Sequence, residues 1–172
     1  MGWGLLTSTP PTASPKFLAD VMLGSLAKWL RIFGYDTAYE NRITDESLVQ
    51  RSLQQNRILL TRDRRLVQRR ALRHRHLLIH REKRREQIQE VLEYFHEEID
   101  PSRFLTRCIA CNAGLDSFPR EKARGRVPEY VYATQRSFKR CPTCLRLYWR
   151  GTHRERMLEE LLALRRSGGR PG

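Results

Sequence analysis

Long apolar runs are missing from this sequence. No stretch approaches the roughly 20 consecutive apolar residues of a membrane span, so no membrane partner is expected. The first 15 residues show no basic region ahead of an apolar segment, and the pattern leads us to expect a cytoplasmic protein without a secretory leader. Glycine-rich phosphate loops are absent as well. Gly24 and Gly34 belong to neither Gly-x-x-x-x-Gly-Lys nor Gly-x-Gly-x-x-Gly, which argues against nucleoside triphosphate chemistry. The five histidines form no nucleophile–base pattern, and three of them, His74, His76 and His80, lie inside a basic segment. Acid is scarce: 19 Asp or Glu face 33 Lys or Arg, for a formal net charge of +14 over 172 residues. Apolar content of 40% suffices for a core at this length, so full disorder is excluded.

The charge is organised along the chain. Residues 64–85 hold ten Lys or Arg against the single acid Glu82, interleaved with Leu66, Val67, Leu72, Leu77, Leu78 and Ile79. Residues 86–100 carry six acids and no Lys or Arg. A basic face with apolar residues threaded through it belongs to folded elements, and it points to a polyanion partner through counterion release. The competing reading is a solvated, solubilising face.

Residues 1–15, with Pro10, Pro11 and Pro15, read as a disordered lead-in. Residues 16–20 read as a buried strand ending in Asp20, and Leu23, Leu26, Ala27 and Leu30 recur at helical spacing up to the stop at Gly34. Thr44-Asp45-Glu46 opens a second helix ending near Asn56, and residues 57–61 form a second strand. Asp63 begins a further helix through about His74. His76–Ile79 forms a third strand, followed by a helix burying Ile88, Val91, Leu92 and Phe95. This βαβα alternation predicts an α/β fold, a small parallel sheet with helices on both faces. Asp100-Pro101 marks the end of that domain (16–100). Residues 101–153 follow as a cysteine module, then a terminal helix (Arg154 to Arg166) and a frayed tail to Gly172.

Ligands of open parallel sheets bind beyond the carboxyl ends of the strands. Asp20 and Asp63 each follow such an end, and Asp45 starts a helix that faces the same edge, so three carboxylates can converge on Mg²⁺ or Mn²⁺. Singly, each acid is better read as a helix cap or first-turn residue, and it is their recurrence that favours a shared site.

Cys108-x-x-Cys111 and Cys141-x-x-Cys144 are two knuckles that together complete a tetrahedral, structural Zn²⁺ shell. A redox Cys-x-x-Cys would leave the second pair unexplained. Tyr130–Tyr132 and Leu145–Trp149 read as ribbon strands. Tyr148 or Trp149, flanked by Arg146 and Arg150, either stack on bases or pack in the ribbon core.

Several strings, taken together, resemble a known family. They are Phe17-Leu18-Ala19-Asp20, Leu23-Gly24-Ser25-Leu26-Ala27-Lys28-Trp29-Leu30-Arg31, Gly34-Tyr35-Asp36, Leu60-Thr61-Arg62-Asp63, and Cys141-Pro142-Thr143-Cys144 with Tyr148-Trp149-Arg150-Gly151-Thr152-His153. In order and content they resemble the Mut-seven C-terminal RNase domain family, a PIN-like fold fused to a zinc ribbon. The resemblance implies a metal-dependent ribonuclease with Asp20, Asp45 and Asp63 as Mg/Mn ligands and Thr61 as the small hydroxyl residue that orients a water or ligand. It also implies Lys28 and Arg31 as basic positions on the first helix that touch phosphate. Position 28 is Lys where the family string has Arg, which keeps the charge and loses the bidentate fork. No clear fourth acid follows the third predicted strand; Glu82 stands there among Arg81, Lys83 and Arg84.

The expected activity is hydrolysis of single-stranded or structured RNA, with Arg69, Arg70 and Arg73 and the ribbon binding substrate. The alternative is a non-catalytic RNA-binding or ribosome-associated module in which the acids are caps. A homo-oligomer stays open.

Overall fold

The computed structural model describes residues 14–151. The lead-in expected at 1–15 falls outside the described residues except for its last two positions, and the terminal helix expected from Arg154 to Arg166 lies wholly outside them. Four short strands, β1 (Phe17–Ala19), β2 (Thr37–Tyr39), β3 (Ile58–Thr61) and β4 (His76–Leu78), form one parallel sheet in the order β2-β1-β3-β4. Three helices accompany it: α1 (Gly24–Ile32), α2 (Asp45–Gln54) and α3 (Arg84–Tyr94).

The pleat sends alternate residues to opposite faces. Phe17, Ala19, Leu60 and Leu77 pack under α1 and α3 with Leu26, Leu30, Ile88 and Val91, while Leu18, Ala38 and Leu59 pack against Leu48 of α2 and against Leu66 and Leu72. Both faces are covered, as the alternation predicts. Each fully buried Leu or Phe contributes about 1.5–3 kcal/mol. Phe17 meets Tyr35 and Phe95 at ring-centroid distances of 5.9 and 5.3 Å. Phe104 lies past the boundary expected at Asp100-Pro101, yet it is buried in this same core, 5.3 Å from Phe33.

Three elements differ from the sequence expectation. Strand β2 was not anticipated, because Thr-Ala-Tyr is too short and too polar to announce itself; it exists because β1 offers it an edge. The helix expected from Asp63 to about His74 is instead two 3-10 turns, Leu66–Gln68 and Arg70–Leu72. Arg69 and Arg73 adopt extended backbone there (ψ 122° and 125°). A continuous helix would stack Arg65, Arg69 and Arg73 at i,i+4, where like charges repel, whereas the strap needs only Leu66 and Leu72 inward. Residues Tyr130–Tyr132, expected as a strand, lie in a short helix, Glu129–Thr134.

The cysteine module is an antiparallel meander of β5 (Asp116–Phe118), β6 (Phe138–Arg140) and β7 (Leu147–Trp149). The β5–β6 connection carries α4 (Arg120–Ala123) and α5 (Glu129–Thr134). Pro128 sets the entry to α5, which buries Val131 and leaves Tyr130 72% exposed. Phe118, Ala123, Val131 and Phe138 form a small core of their own, with Leu147 and Trp149 against it.

Helix α1 ends in a Schellman turn: the Tyr35 amide donates to Leu30 O at 2.9 Å and the Gly34 amide to Arg31 O at 3.0 Å. Gly34 sits at φ +86°, and a Cβ there would lie 2.5 Å from the Arg103 carbonyl oxygen. Left-handed strain and a backbone clash therefore act together. Gly34→Ala is expected to lower unfolding free energy by about 3 kcal/mol, read by urea denaturation of the full chain.

Candidate functional site

Asp20 and Asp63 emerge side by side at the carboxyl edge of the parallel sheet, where Ala19 pairs with Leu60 and the Asp20 amide donates to Leu60 O at 3.0 Å. The Thr61 hydroxyl joins them. Thr61 is fully buried; its Oγ1 donates to Asp20 Oδ2 at 2.6 Å and accepts from the Asp63 amide at 3.0 Å. Asp20, only 6% exposed, also accepts from the Val21 amide with Oδ1 at 2.6 Å, capping a 3-10 turn. Asp63 Oδ1 accepts from the amides of Arg65 and Leu66 at 2.7 and 3.2 Å. Both acids therefore act as caps. Capping does not exhaust them, because each carboxylate oxygen has two lone pairs.

Asp45 stands apart. It opens α2 behind the cap Thr44, is exposed, and faces Arg69 Nη2 at 3.9 Å; the same guanidinium bonds Glu46 at 3.0 Å and holds that carboxyl below its usual range. Among the described residues, the one group of three or more potential metal ligands whose ligand atoms lie within 4.8 Å of one another is the cysteine set. The structure thus brings Asp20 and Asp63 together through Thr61 and leaves Asp45 to Arg69.

The basic candidates divide likewise. Lys28, Arg70 and Arg73 are exposed, and Arg69 is occupied by Asp45 and Glu46. Arg31, expected to touch phosphate, is 3% exposed, and its guanidinium is turned inward onto main-chain carbonyls. Its Nε donates to Thr37 O at 2.8 Å and its Nη1 to Ile109 O and Ala110 O at 2.9 and 3.0 Å. Glu82 is a surface acid 3.9 Å from Arg62. The acidic helix α3 turns to its own chain: the Glu90 carboxylate accepts the His80 and Arg81 amides at 3.0–3.2 Å.

The four cysteines converge. Cys108 and Cys144 Sγ lie 3.5 Å apart, as do Cys111 and Cys141 Sγ at 3.4 Å. That is far beyond a disulfide and close to the roughly 3.8 Å edge of a tetrahedron with Zn–S bonds of about 2.3 Å. The sulfurs lie in two hydrogen-bonding pairs. Burial works against ionising Cys108, but hydrogen bonds from the Tyr148 hydroxyl and the Cys111 amide hold it down to about 6, whereas burial helps push Cys111 up to about 12. Burial also raises Tyr148, whose hydroxyl lies 3.1 Å from Cys108 Sγ, within hydrogen-bonding distance. Tyr148 is therefore a partner of the cysteine site, and Trp149 packs against the ribbon core.

A family model, Mut7-C RNAse domain, matches residues 15–161. The chain belongs to the Mut7-C RNAse domain family. No curated protein matches it. Membership in the Mut7-C family carries a ribonuclease-like role with RNA as the substrate class, and the four-cysteine cluster is arranged for a structural metal, zinc by its thiolate chemistry. No helix among the described residues is long and apolar enough to cross a membrane.

Sequence reasoning on this Mut7-C chain missed the side chains around Asp36. Arg57 and Asn112 bond its carboxylate at 2.7 Å each, and Arg107 lies at 3.5 Å. Burial alone would raise Asp36, but the hydrogen bonds from Arg57 and Asn112 and the charges of Arg57 and Arg107 outweigh it and hold the carboxyl below its usual range. The Gly34-Tyr35-Asp36 string marked the place, but nothing in it named the partners.

Two outcomes follow. Thr61→Val leaves Asp20 Oδ2 and the Asp63 amide without their shared hydroxyl and should cost about 2 kcal/mol in chemical denaturation, with Thr61→Ser recovering most of it. Zinc binding near pH 8 should release fewer than four protons, because Cys108, held down to about 6, is already ionised there. Calorimetry in buffers of different ionisation enthalpy measures that count.

Proposed function

We propose that this chain is a PIN-like, metal-dependent ribonuclease that hydrolyses single-stranded RNA at the Asp20–Thr61–Asp63 edge. The observation that carries the reading is the hydrogen-bonded pair of strand-end carboxylates at the ligand-binding edge of a parallel sheet. Their hard oxygens suit Mg²⁺ or Mn²⁺ rather than zinc. A divalent ion held there supplies an activated water and neutralises charge on the attacked phosphodiester.

The chain's own residues divide the remaining work. Thr61 fixes the Asp20 carboxylate in one orientation. Asp45 is the third ligand in reserve: Arg69 is paired to Asp45 and Glu46 across exposed, solvent-screened contacts worth little each. A phosphate approaching Arg69 draws the guanidinium away and returns Asp45 to the edge. Lys28, Arg70 and Arg73 attract the RNA backbone, joined by Arg64 and Arg65, which are exposed just beyond Asp63.

A second reading, a non-catalytic RNA-binding module, is favoured by one observation: Asp20 and Asp63 both cap turns, a sufficient reason for their presence. Asp63→Asn separates the two, since an amide oxygen can still accept from Arg65 and Leu66 while the charge is lost. Under the nuclease reading, Mn²⁺-dependent cleavage of labelled single-stranded RNA falls on the order of 10²-fold or more, with RNA affinity unchanged or higher. Metal-independent binding without cleavage in the parent chain would instead establish the module. Reversing Arg70 and Arg73 to Glu should weaken RNA binding and flatten its salt dependence by about 0.7 log units per log unit of salt for each phosphate that is no longer neutralised.

A further inference from the structure

Arg31 lies in the last turn of α1, the helix that starts just past Asp20, and its guanidinium is buried at the opposite, amino end of the sheet. Two of its three acceptors, Ile109 O and Ala110 O, are the residues between Cys108 and Cys111; the third, Thr37 O, opens strand β2. The residue after the knuckle repeats the connection. Asn112 Oδ1 accepts from the Thr37 amide at 3.0 Å, and its Nδ2 donates to Asp36 at 2.7 Å. Thr37 is thus bonded at its carbonyl by Arg31 and at its amide by Asn112, and it is fully buried. The ribbon also reaches across with Lys139 Nζ on Leu105 O at 3.0 Å, while the Leu105 amide bonds Ile32 O at the end of α1.

We propose that the Cys108–Cys111 knuckle is a structural support of the α/β domain itself, with Arg31 and Asn112 as the residues that position it. Metal held by the cysteines keeps the Ile109 and Ala110 carbonyls aimed at Arg31 and so seats the end of α1 and the start of β2. The physical reason is the buried charge. A guanidinium deprived of two of its three acceptors inside a protein cannot regain them from water without opening the structure around it. The loop's own hydrogen bonds, such as the Cys108 amide on Ala113 O at 2.7 Å, close the turn, but a metal shared by all four sulfurs is what would fasten this knuckle to Cys141 and Cys144. Zinc loss therefore propagates past the ribbon into residues 30–38. The inference uses the cysteine site and not the acidic edge. A chain that fails to cleave RNA leaves it standing, and its own failure leaves the catalytic reading untouched.

The test uses the full chain under reducing conditions, zinc-loaded and chelator-stripped, followed by hydrogen exchange. Stripping is expected to raise amide exchange over residues 30–38 by about tenfold or more, with residues 76–94 unchanged, because a segment opens locally where its supporting hydrogen bonds are removed. The outer partners should in turn affect the metal. Asn112→Gly preserves the left-handed backbone at that position (φ 71°) and deletes only the side chain; it should speed zinc release to a chromophoric chelator by about tenfold. Arg31→Met should do the same and Arg31→Lys less, and if Arg31→Met fails to fold, Asn112→Gly decides the matter. A stripped chain that loses protection over 138–149 but keeps it over 30–38 would overturn the proposal, as would Asn112→Gly releasing zinc at the parent rate or a purified chain that binds no metal at its cysteines.

Discussion

The Arg31 guanidinium, buried between the start of β2 and the first cysteine knuckle, ties the parallel sheet to the cysteine module. The Arg31 guanidinium is planar and cannot be neutralised at physiological pH, so burying it requires acceptors arranged around it in advance. The chain supplies them from two separate places, the first residue of β2 and the two residues inside the first cysteine knuckle. The knuckle is 78 and 79 residues away, beyond anything a helix or turn could bring to Arg31. The parallel sheet and the ribbon are consequently not two beads on a string. Asp36, with Arg57, Arg107 and Asn112 around it, closes the same seam with the opposite charge.

The opposite end of α1 has the opposite chemistry. There the buried polar group is a carboxylate, Asp20, held by one threonine hydroxyl that also takes the Asp63 amide. A hydroxyl is suited to this position because it donates in one direction while accepting from another. The result is a pair of acids of fixed orientation on a sheet edge, with Asp45 apart from them at the start of α2, in an exposed, exchangeable pair with Arg69. Rigid and exchangeable interactions are thus separated within one site, and that division underlies the proposed order of events when RNA arrives.

The strong positive charge is distributed by the same economy of backbone. The basic strap between β3 and β4 needs only Leu66 and Leu72 to hold it on the sheet, so its arginines stay outside. The acidic face of α3 does not neutralise that strap. Its Glu90 is used on the His80 and Arg81 amides, a local fastening of the loop after β4.

Much of this was legible in the residues. Short apolar runs announced β1, β3 and β4 and 3.6-period apolar patterns announced α1, α2 and α3, because the strands are covered on both faces and each helix buries one face on the sheet. The cysteine spacing announced a metal shell, because each knuckle places two sulfurs on one turn. Strand β2 was not legible, since three residues on a sheet edge draw their stability from the neighbouring strand. Nor were the 3-10 strap and α5, where arginine crowding and Pro128 overrode the apparent pattern. The sequence by itself determined which acids stand at strand ends and which thiols share a knuckle, as both are consequences of local spacing. Only the tertiary structure decided that Arg31 bonds the knuckle carbonyls and that Asp45 lies beside Arg69 instead of with Asp20 and Asp63, because both depend on where residues far apart in the chain come to lie.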